Sequence, residues 1–450
     1  MGEGVALVYP YFREADPVRK LFAPLGIAYL SSQVQALGIP AFICDCTFET
    51  FQRAVERIAA ADPSIVGIYV MISMSRNALA LLRELRQRLP GTLFAAGGPL
   101  PTLYPDRFAR EFDLVFRGEA DLTFARFCRD YHASGCTPAS LSRLPLSSYP
   151  GIYLQTENGV ASAPAIHNPA AVLDRLPLPD RSGPEHRLYQ QFWQDAAGCR
   201  PAGIIITRGC PWNCDFCSKP VWGSVFRKPS LDRVFLEIAE IGRLGYDQLW
   251  IADDSFTLDL AYLREFCRRK VHESPEITWT CLSRVDRLDR EVVDRMHQAG
   301  CVRVYLGLES GSDETLRLMG KRATVRDGRE AVRLFAEAGI ETAGFFIVGY
   351  PGETMASVEE TLAHALSLPL DEISINVPYP LPGSPLFDRV ADVDPEDDWD
   401  AAGKVRFMYR SEFDEAVLKG RIEEAMERFA RSKEERDRRR GLAMRQAPSA

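Results

Sequence analysis

The stretch Gly203-Ile204-Ile205-Ile206-Thr207-Arg208-Gly209-Cys210-Pro211-Trp212-Asn213-Cys214-Asp215-Phe216-Cys217 decides how this chain is read. Its first five residues are uncharged and mostly β-branched, the pattern of a buried strand. Gly209 and Pro211 break that pattern, so Cys210, Cys214 and Cys217 fall on a loop just past the strand's C-terminal end. In α/β barrels function sits at that end. Three thiolates on one short loop match three irons of a cubane 4Fe–4S cluster and leave the fourth iron open for chemistry. A structural zinc site usually takes four ligands, often as two separated pairs, and no second pair lies nearby. A disulfide framework belongs to small, cysteine-dense secreted chains. Here 11 cysteines are spread over 450 residues, and no N-terminal signal peptide is visible.

Phe216 completes a Cys-x-x-x-Cys-x-aromatic-Cys run that resembles the signature of the radical SAM superfamily. The resemblance implies a 4Fe–4S cluster on Cys210, Cys214 and Cys217, and S-adenosylmethionine (SAM) bound at the open iron.

Composition sets the outer bounds. A hydrophobic content of 46% is that of an ordinary globular protein. The apolar runs fall short of a membrane-spanning helix, so no membrane span is expected. The formal net charge of −8 speaks against a general nucleic-acid surface. Free thiols and the cluster motif point to a reducing cytoplasm. The remaining cysteines, Cys44, Cys46, Cys267 and Cys301 among them, read as small buried apolar residues.

Residues 1–135 alternate strands and helices: strands at Val5–Tyr9, Ala41–Cys44, Ser64–Ile72, Thr92–Ala96 and Leu114–Phe116, helices at Leu25–Leu37, Phe51–Ala60 and Ala78–Leu89. That spacing predicts a doubly wound, Rossmann-like parallel sheet with a ligand crevice past the strand C-termini. Residues 136–200, rich in Pro and Ser, read as a linking and wrapping segment. A second βα series over 201–390 has six strands, near Ile204–Thr207, Gln248–Ala252, Thr278–Leu282, Arg303–Gly307, Thr342–Val348 and Ile373–Val377, and predicts a partial (β/α)6 barrel of TIM type. Ser230 is expected to cap the first barrel helix, and Ser357 with Glu360 to form a capping box on the fifth. Residues 391–450 read as a charged helical extension, with the run Arg431–Arg440 a solvated face.

Polar residues stand at the ends of the barrel strands, where SAM has to be held: Asp254, Ser283, Arg284, Glu309, Ser310 and Gly349 are the candidates. A carboxylate accepts from the ammonium or ribose of SAM, and an arginine pairs with its carboxylate. Gly307-Leu308-Glu309-Ser310-Gly311 resembles the strand-four motif of many radical SAM enzymes. Asp254 and Tyr379 are candidates for a catalytic role.

The first sheet lacks Gly-x-Gly-x-x-Gly after its first strand, so the dinucleotide fingerprint is absent. Its turns instead resemble the cobalamin-binding domain that precedes the barrel in one large radical SAM class. The likeness rests on Ala23–Leu30, Val66–Met71, Gly97–Thr102 and Arg117–Glu119. It implies cobalamin at Leu25, Gly26, Tyr69, Val70, Met71, Gly97, Gly98, Pro99, Gly118 and Glu119, with a slot at Gly97 and Gly98 for the corrinoid tail. The Asp-x-His-x-x-Gly motif is missing, so no first-loop histidine ligates cobalt, and Tyr69 either ligates or shields it. Position 100 is Leu where relatives often show His.

The resemblance implies a cobalamin-dependent radical SAM methyltransferase. SAM is cleaved reductively to a deoxyadenosyl radical, hydrogen is taken from substrate, and methylcobalamin delivers the methyl group to a carbon. The implied partners are a small-molecule or peptide substrate and an external electron donor such as flavodoxin or ferredoxin. The alternatives are a radical cyclisation or rearrangement with the same cofactors, or a radical SAM or cluster protein that has lost cobalamin. Trp193, Tyr189, Trp222 and Tyr379 are aromatic residues available to line a substrate pocket.

Overall fold

The computed structural model describes residues 2, 4–13, 21–156, 159–390 and 407–446. They form two compact units, one within residues 1–211 and 219–252, the other within 212–218, 253–390 and 407–446.

The first unit is built on a seven-stranded sheet: β1 (Val5–Tyr9), β2 (Ala41–Asp45), β3 (Ile65–Tyr69), β4 (Leu93–Gly97), β5 (Leu114–Phe116), β6 (Ile152–Thr156) and β7 (Gly159–Ser162). Their order is β2-β1-β3-β4-β5-β6-β7. The first five strands are parallel, with Val5 opposite both Ala41 and Ile65. Alternation along each strand feeds two cores. Ala6, Val8, Val66 and Ile68 face the helices Phe51–Ala61 and Ser75–Arg88, while Val5, Leu7, Ile65 and Leu93 face Leu25–Ala36 and Asp121–Ala133. The chain reverses its winding between β1 and β3, so the crevice of such a sheet opens beyond Tyr9 and Tyr69.

The expected linker departs from its reading. Within it, β6 pairs antiparallel with β5, and β7 with β6, so this stretch extends the first sheet. Its helix Glu185–Ala197 places the Tyr189 hydroxyl on Asp45, at 2.7 Å, and on Thr47, at 2.9 Å. Side chains with partners this specific mark a packed segment rather than a free tether.

The second sheet is parallel, its six strands in chain order: β8 (Pro201–Ile204), β9 (Gln248–Ile251), β10 (Thr278–Ser283), β11 (Cys301–Glu309), β12 (Glu341–Ile347) and β13 (Glu372–Asn376). β8 ends earlier than its apolar run suggests, and Arg208 beyond it exchanges backbone hydrogen bonds with Arg227. Ser230 caps the helix Leu231–Arg243 as expected. The fifth barrel helix, Met355–Ser367, is instead capped by Thr354 in a box with Ser357, because the helix begins three residues earlier than the sequence suggests. The helix Glu415–Gln446 contains the Arg431–Arg440 run and buries Leu418, Ile422, Ala425 and Phe429. The part of the expected extension over 391–406 lies outside the described residues. Among the described residues, no helix is long and apolar enough to cross a membrane.

Candidate cofactor sites

In the first unit the strand ends collect aromatic side chains. Tyr9 and Tyr69, which end β1 and β3, lie with ring centroids 5.7 Å apart, and Tyr11 follows at 6.4 Å from Tyr9. Burial pushes the Tyr69 phenol up to about 12, so it stays protonated. Tyr9 is raised as well, by burial and then by Tyr69 and Asp45. Gly98 has φ 104, and a Cβ there would stand 2.9 Å from the Val70 carbonyl and 3.0 Å from the Tyr69 ring. Gly98 thus seats Tyr69 rather than leaving an empty slot. Gly97 differs: a Cβ would meet only the Phe116 carbonyl, at 3.9 Å, and on the exposed Gly26 it would meet nothing within 4 Å. The open space expected of a corrinoid slot is therefore at Gly97.

Thr102, just beyond the helix start at Pro99, ties these turns together. Its hydroxyl donates to the Gly98 carbonyl, at 2.8 Å, and accepts from the Gly118 N–H, at 3.0 Å. Val70 is buried and Met71 partly exposed, directly after β3. Leu25 lines a cleft with Ile43, Asp45 and Tyr189. Trp193 packs on Phe22, which stacks on Trp250, and Trp193 Nε1 donates to the Leu21 carbonyl.

Glu119 has a different setting from the one expected of a corrinoid contact. It is buried with Asp121 against Arg208 and Arg227. Arg208 reaches Glu119 at 3.1 Å and Asp121 at 2.8 and 3.1 Å. Asn168 donates its backbone N–H to Glu119 and its side-chain amide to Asp121. Two carboxylates and two guanidiniums balance one another, as buried charges require, and His167 Nδ1 lies 3.5 Å from Glu119. Arg208 stands two residues before Cys210, whose N–H donates to the Gly223 carbonyl at 3.2 Å, and the Lys219 ammonium donates to the Cys210 carbonyl. At Gly209, φ 84, a Cβ would lie 2.2 Å from the Val225 carbonyl, so only glycine admits this turn.

In the second unit, Cys214 and Cys217 lie on a loop fixed from several sides. The Cys217 N–H donates to the Cys214 carbonyl, at 3.1 Å. The Asp215 carboxylate takes the Tyr350 hydroxyl and pairs with Arg389, at 2.7 Å. The Asp215 backbone bonds Met319 and Leu386. Arg284, buried at the end of β10, lies 4.2 Å over the Trp212 ring, puts Nη1 3.8 Å from Cys214 Sγ, and pairs Nε with Asp286 at 2.7 Å. Its Nη2 is buried without a hydrogen-bond partner.

Glu309 ends β11 in the left-handed region, φ 65, at a register slip, with its carboxylate 2.7 Å from Lys321 Nζ. Gly307 makes room for that pair, since a Cβ there would meet Glu309 Oε1 at 2.5 Å and Lys321 Nζ at 2.8 Å. Ser310 bonds Thr361 and the Ser312 N–H, which ties the motif to the helix Met355–Ser367. Ser283 bonds Thr257. Glu353 accepts the N–H groups of Gly349 and Tyr350, and burial raises its pKa. The space beside the Gly349 α-carbon is filled by Phe407 and Leu418 rather than left for an adenine ring. Asp254 is exposed and Tyr379 partly exposed, both on loops past β9 and β13.

Tyr9, Lys321 and the Arg208–Arg227 pair escaped the sequence reading as site residues. Tyr9 was within reach of the strand-end argument that gave Tyr69; Lys321 carried no pattern at all.

Two tests bear on cofactor fit. The cysteines of the loop are partly exposed, whereas Cys44, Cys46, Cys128, Cys267, Cys281 and Cys301 are buried. Among the described residues, no three His, Cys, Asp or Glu side chains are drawn together as a metal would need. The donor set still suits a cluster in its chemistry: three thiols on a loop whose glycine turn admits no Cβ. The buried, unpartnered Arg284 Nη2 suits a carboxylate such as that of SAM, and the open face at Gly97 suits a large planar ligand.

Comparison with known proteins agrees with this division. Residues 204–365 match the model of the radical SAM superfamily, and residues 16–127 that of the B12 binding domain. An uncharacterised methyltransferase of Pyrococcus horikoshii is 31% identical over 379 residues, 81% of this chain and 78% of the relative. An anaerobic magnesium-protoporphyrin IX monomethyl ester cyclase of Cereibacter sphaeroides is 25% identical, over 86% of this chain and 64% of the cyclase. The fold is shared with the radical SAM methyltransferase TsrM from Kitasatospora setae, solved with cobalamin and a 4Fe–4S cluster: TM-score 0.72, 19% identity, 86% of this chain and 74% of TsrM. The cofactors these matches give are a 4Fe–4S cluster, SAM and cobalamin. With both cofactor domains matched and a relative of that identity spanning most of both chains, this protein is a cobalamin-binding member of the radical SAM superfamily.

Proposed function

We propose that the enzyme transfers a methyl group from SAM, through cobalamin, to a carbon atom of a small-molecule or peptide substrate. The observation that carries this reading is the pairing of a B12-type sheet with a cysteine loop in one chain whose 31%-identical relative is a methyltransferase. The bound cofactors supply a methyl carrier and the means to activate an unreactive carbon. The protein's own residues hold and orient. Cys210, Cys214 and Cys217 are the cluster ligands. Arg284 and Glu309 receive the carboxylate and the ammonium or ribose of SAM, and Ser283 and Ser310 brace the strand ends beneath them through Thr257 and Thr361. Asp254 completes the SAM set, and Gly349 drops out of it because Phe407 and Leu418 fill the space beside its α-carbon. The turns at Leu25–Gly26, Tyr69–Met71, Gly97–Pro99 and Gly118 take the corrinoid, with the protonated Tyr69 phenol shielding cobalt. Glu119 supports that set through its arginines.

A second reading, radical cyclisation with the same cofactors, is favoured by the cyclase relative. The test is anaerobic reconstitution with iron, sulfide and hydroxocobalamin, followed by mass analysis of the product. A gain of one methylene supports methyl transfer, and loss of hydrogen without added carbon supports cyclisation. A reconstituted protein that retains no corrinoid sinks both.

A further inference from the structure

We propose that the cleft beside Arg181 in the first unit is a binding site for a small aliphatic monocarboxylate of about the size of acetate. The Arg181 side chain is only 3% exposed. Its Nη2 donates to the Gly203 carbonyl, at 2.7 Å, and to Glu237, at 2.8 Å. Its Nη1 is buried without a hydrogen-bond partner. Glu237 is already shared: Arg233 and the Tyr29 hydroxyl both donate to its other oxygen, each at 3.1 Å. Two buried guanidiniums therefore hold one carboxylate between them, whereas Arg208 and Arg227 have two. A buried cation short of an anion is costly, and a carboxylate at Arg181 Nη1 removes the deficit.

The acids around the cleft are committed elsewhere. Asp180 accepts from Ser31, Gln35 and Ser182, Glu185 from Arg57, and Asp45 from Tyr189 and Thr47. Arg181 makes its charge felt in the cleft: burial, and next that charge, lower the pKa of His186 to about 4. Pro24 and Leu25 line the same cleft at the start of the helix Leu25–Ala36, which has neither a side-chain cap nor an acidic residue in its first turn. A helix start of that kind favours an anion. The cavity measures about 30 Å³. That is room for roughly two waters or one small anion, and far too little for a corrinoid. Phe22, Pro24, Leu25 and Ile43 give it an apolar wall, which suits a short alkyl end better than a bare halide.

The experiment follows Tm of the full chain, with and without reconstituted cofactors, as sodium acetate replaces sodium chloride at constant ionic strength. The cofactor-free arm needs neither cluster nor corrinoid, so its result stands apart from the functional reading. The expected result is a rise of roughly 3–6 °C in both arms at acetate far above its Kd, with no rise in acetamide. Arg181→Gln removes the buried charge and should lose the rise. Ala23→Leu fills the cleft with every charge in place and should lose it too, which decides the matter if Arg181→Gln does not fold. A rise that survives in either folded variant overturns the proposal. So does an equal rise with acetamide, or no rise at all, which would leave water or chloride in the cleft. A rise confined to the cobalamin-free arm overturns it as well, because the cleft would then belong to the corrinoid.

Discussion

Arg284 is shared between Asp286, the Cys214 sulfur and the Trp212 face, and one of its nitrogens remains buried and unpartnered. A lysine keeps the charge but not the fork. Arg284→Lys should therefore still assemble a cluster but raise the KM for SAM roughly tenfold or more, the scale of losing one charge-assisted hydrogen bond to a carboxylate. Rates of deoxyadenosine or S-adenosylhomocysteine release against SAM concentration measure this, and an unchanged KM removes Arg284 from the site. Arg284 and Glu309 were legible because each polar residue follows an apolar strand. Lys321 was not: its pairing depends on the chain returning past the end of β11, and no local spacing records that. Glu119 was legible as important but not in kind, since two of its partners lie about 90 to 110 residues downstream, at Arg208 and Arg227.

At the scale of elements, the turn after β4 carries the sharpest constraint. Gly98→Ala puts a methyl group against the Val70 carbonyl and the Tyr69 ring at a positive φ. The expected cost is about 1–3 kcal/mol, from strain and overpacking together, read as a lower Tm, with weaker corrinoid retention in the same variant. Thr354→Ala, which removes the cap of Met355–Ser367, should cost about 1 kcal/mol. Denaturant titration of each variant gives the comparison. Parallel strands were easily read, because burial on both faces writes them as unbroken apolar runs. The β6–β7 hairpin was missed because it is short, half-exposed and set among Pro and Ser, so edge pairing rather than composition makes it a sheet.

For the whole molecule, two buried electrostatic features set stability. Glu119→Gln leaves Arg227 and Arg208 short of one anion in a buried site, and breaking such a set costs about 3–5 kcal/mol. Calorimetry should show the loss, and a change under 1 kcal/mol would mean that water replaces the carboxylate. His186 supplies a pH dependence. Burial lowers its pKa from 6.5 to about 4 beside the Tyr246 hydroxyl, at 2.6 Å. The unfolded chain then binds a proton that the folded one refuses, so stability is full above pH 6.5 and falls as pH drops from there towards 4. The loss reaches on the order of 2–3 kcal/mol, and His186→Gln should flatten the profile of Tm against pH across that window.

The turn at Gly349 is roofed by residues from near the chain's end: Phe407 and Leu418 fill the space beside it, and the Tyr409 hydroxyl donates to its carbonyl. This governs how the gene can be handled. A purification tag fused beyond residue 446 leaves the roof intact. A trimmed version ending near 390, attractive because both cofactor domains finish before it, would strip an inner wall and expose apolar surface. It should precipitate, or fold only with the missing segment supplied as a separate peptide.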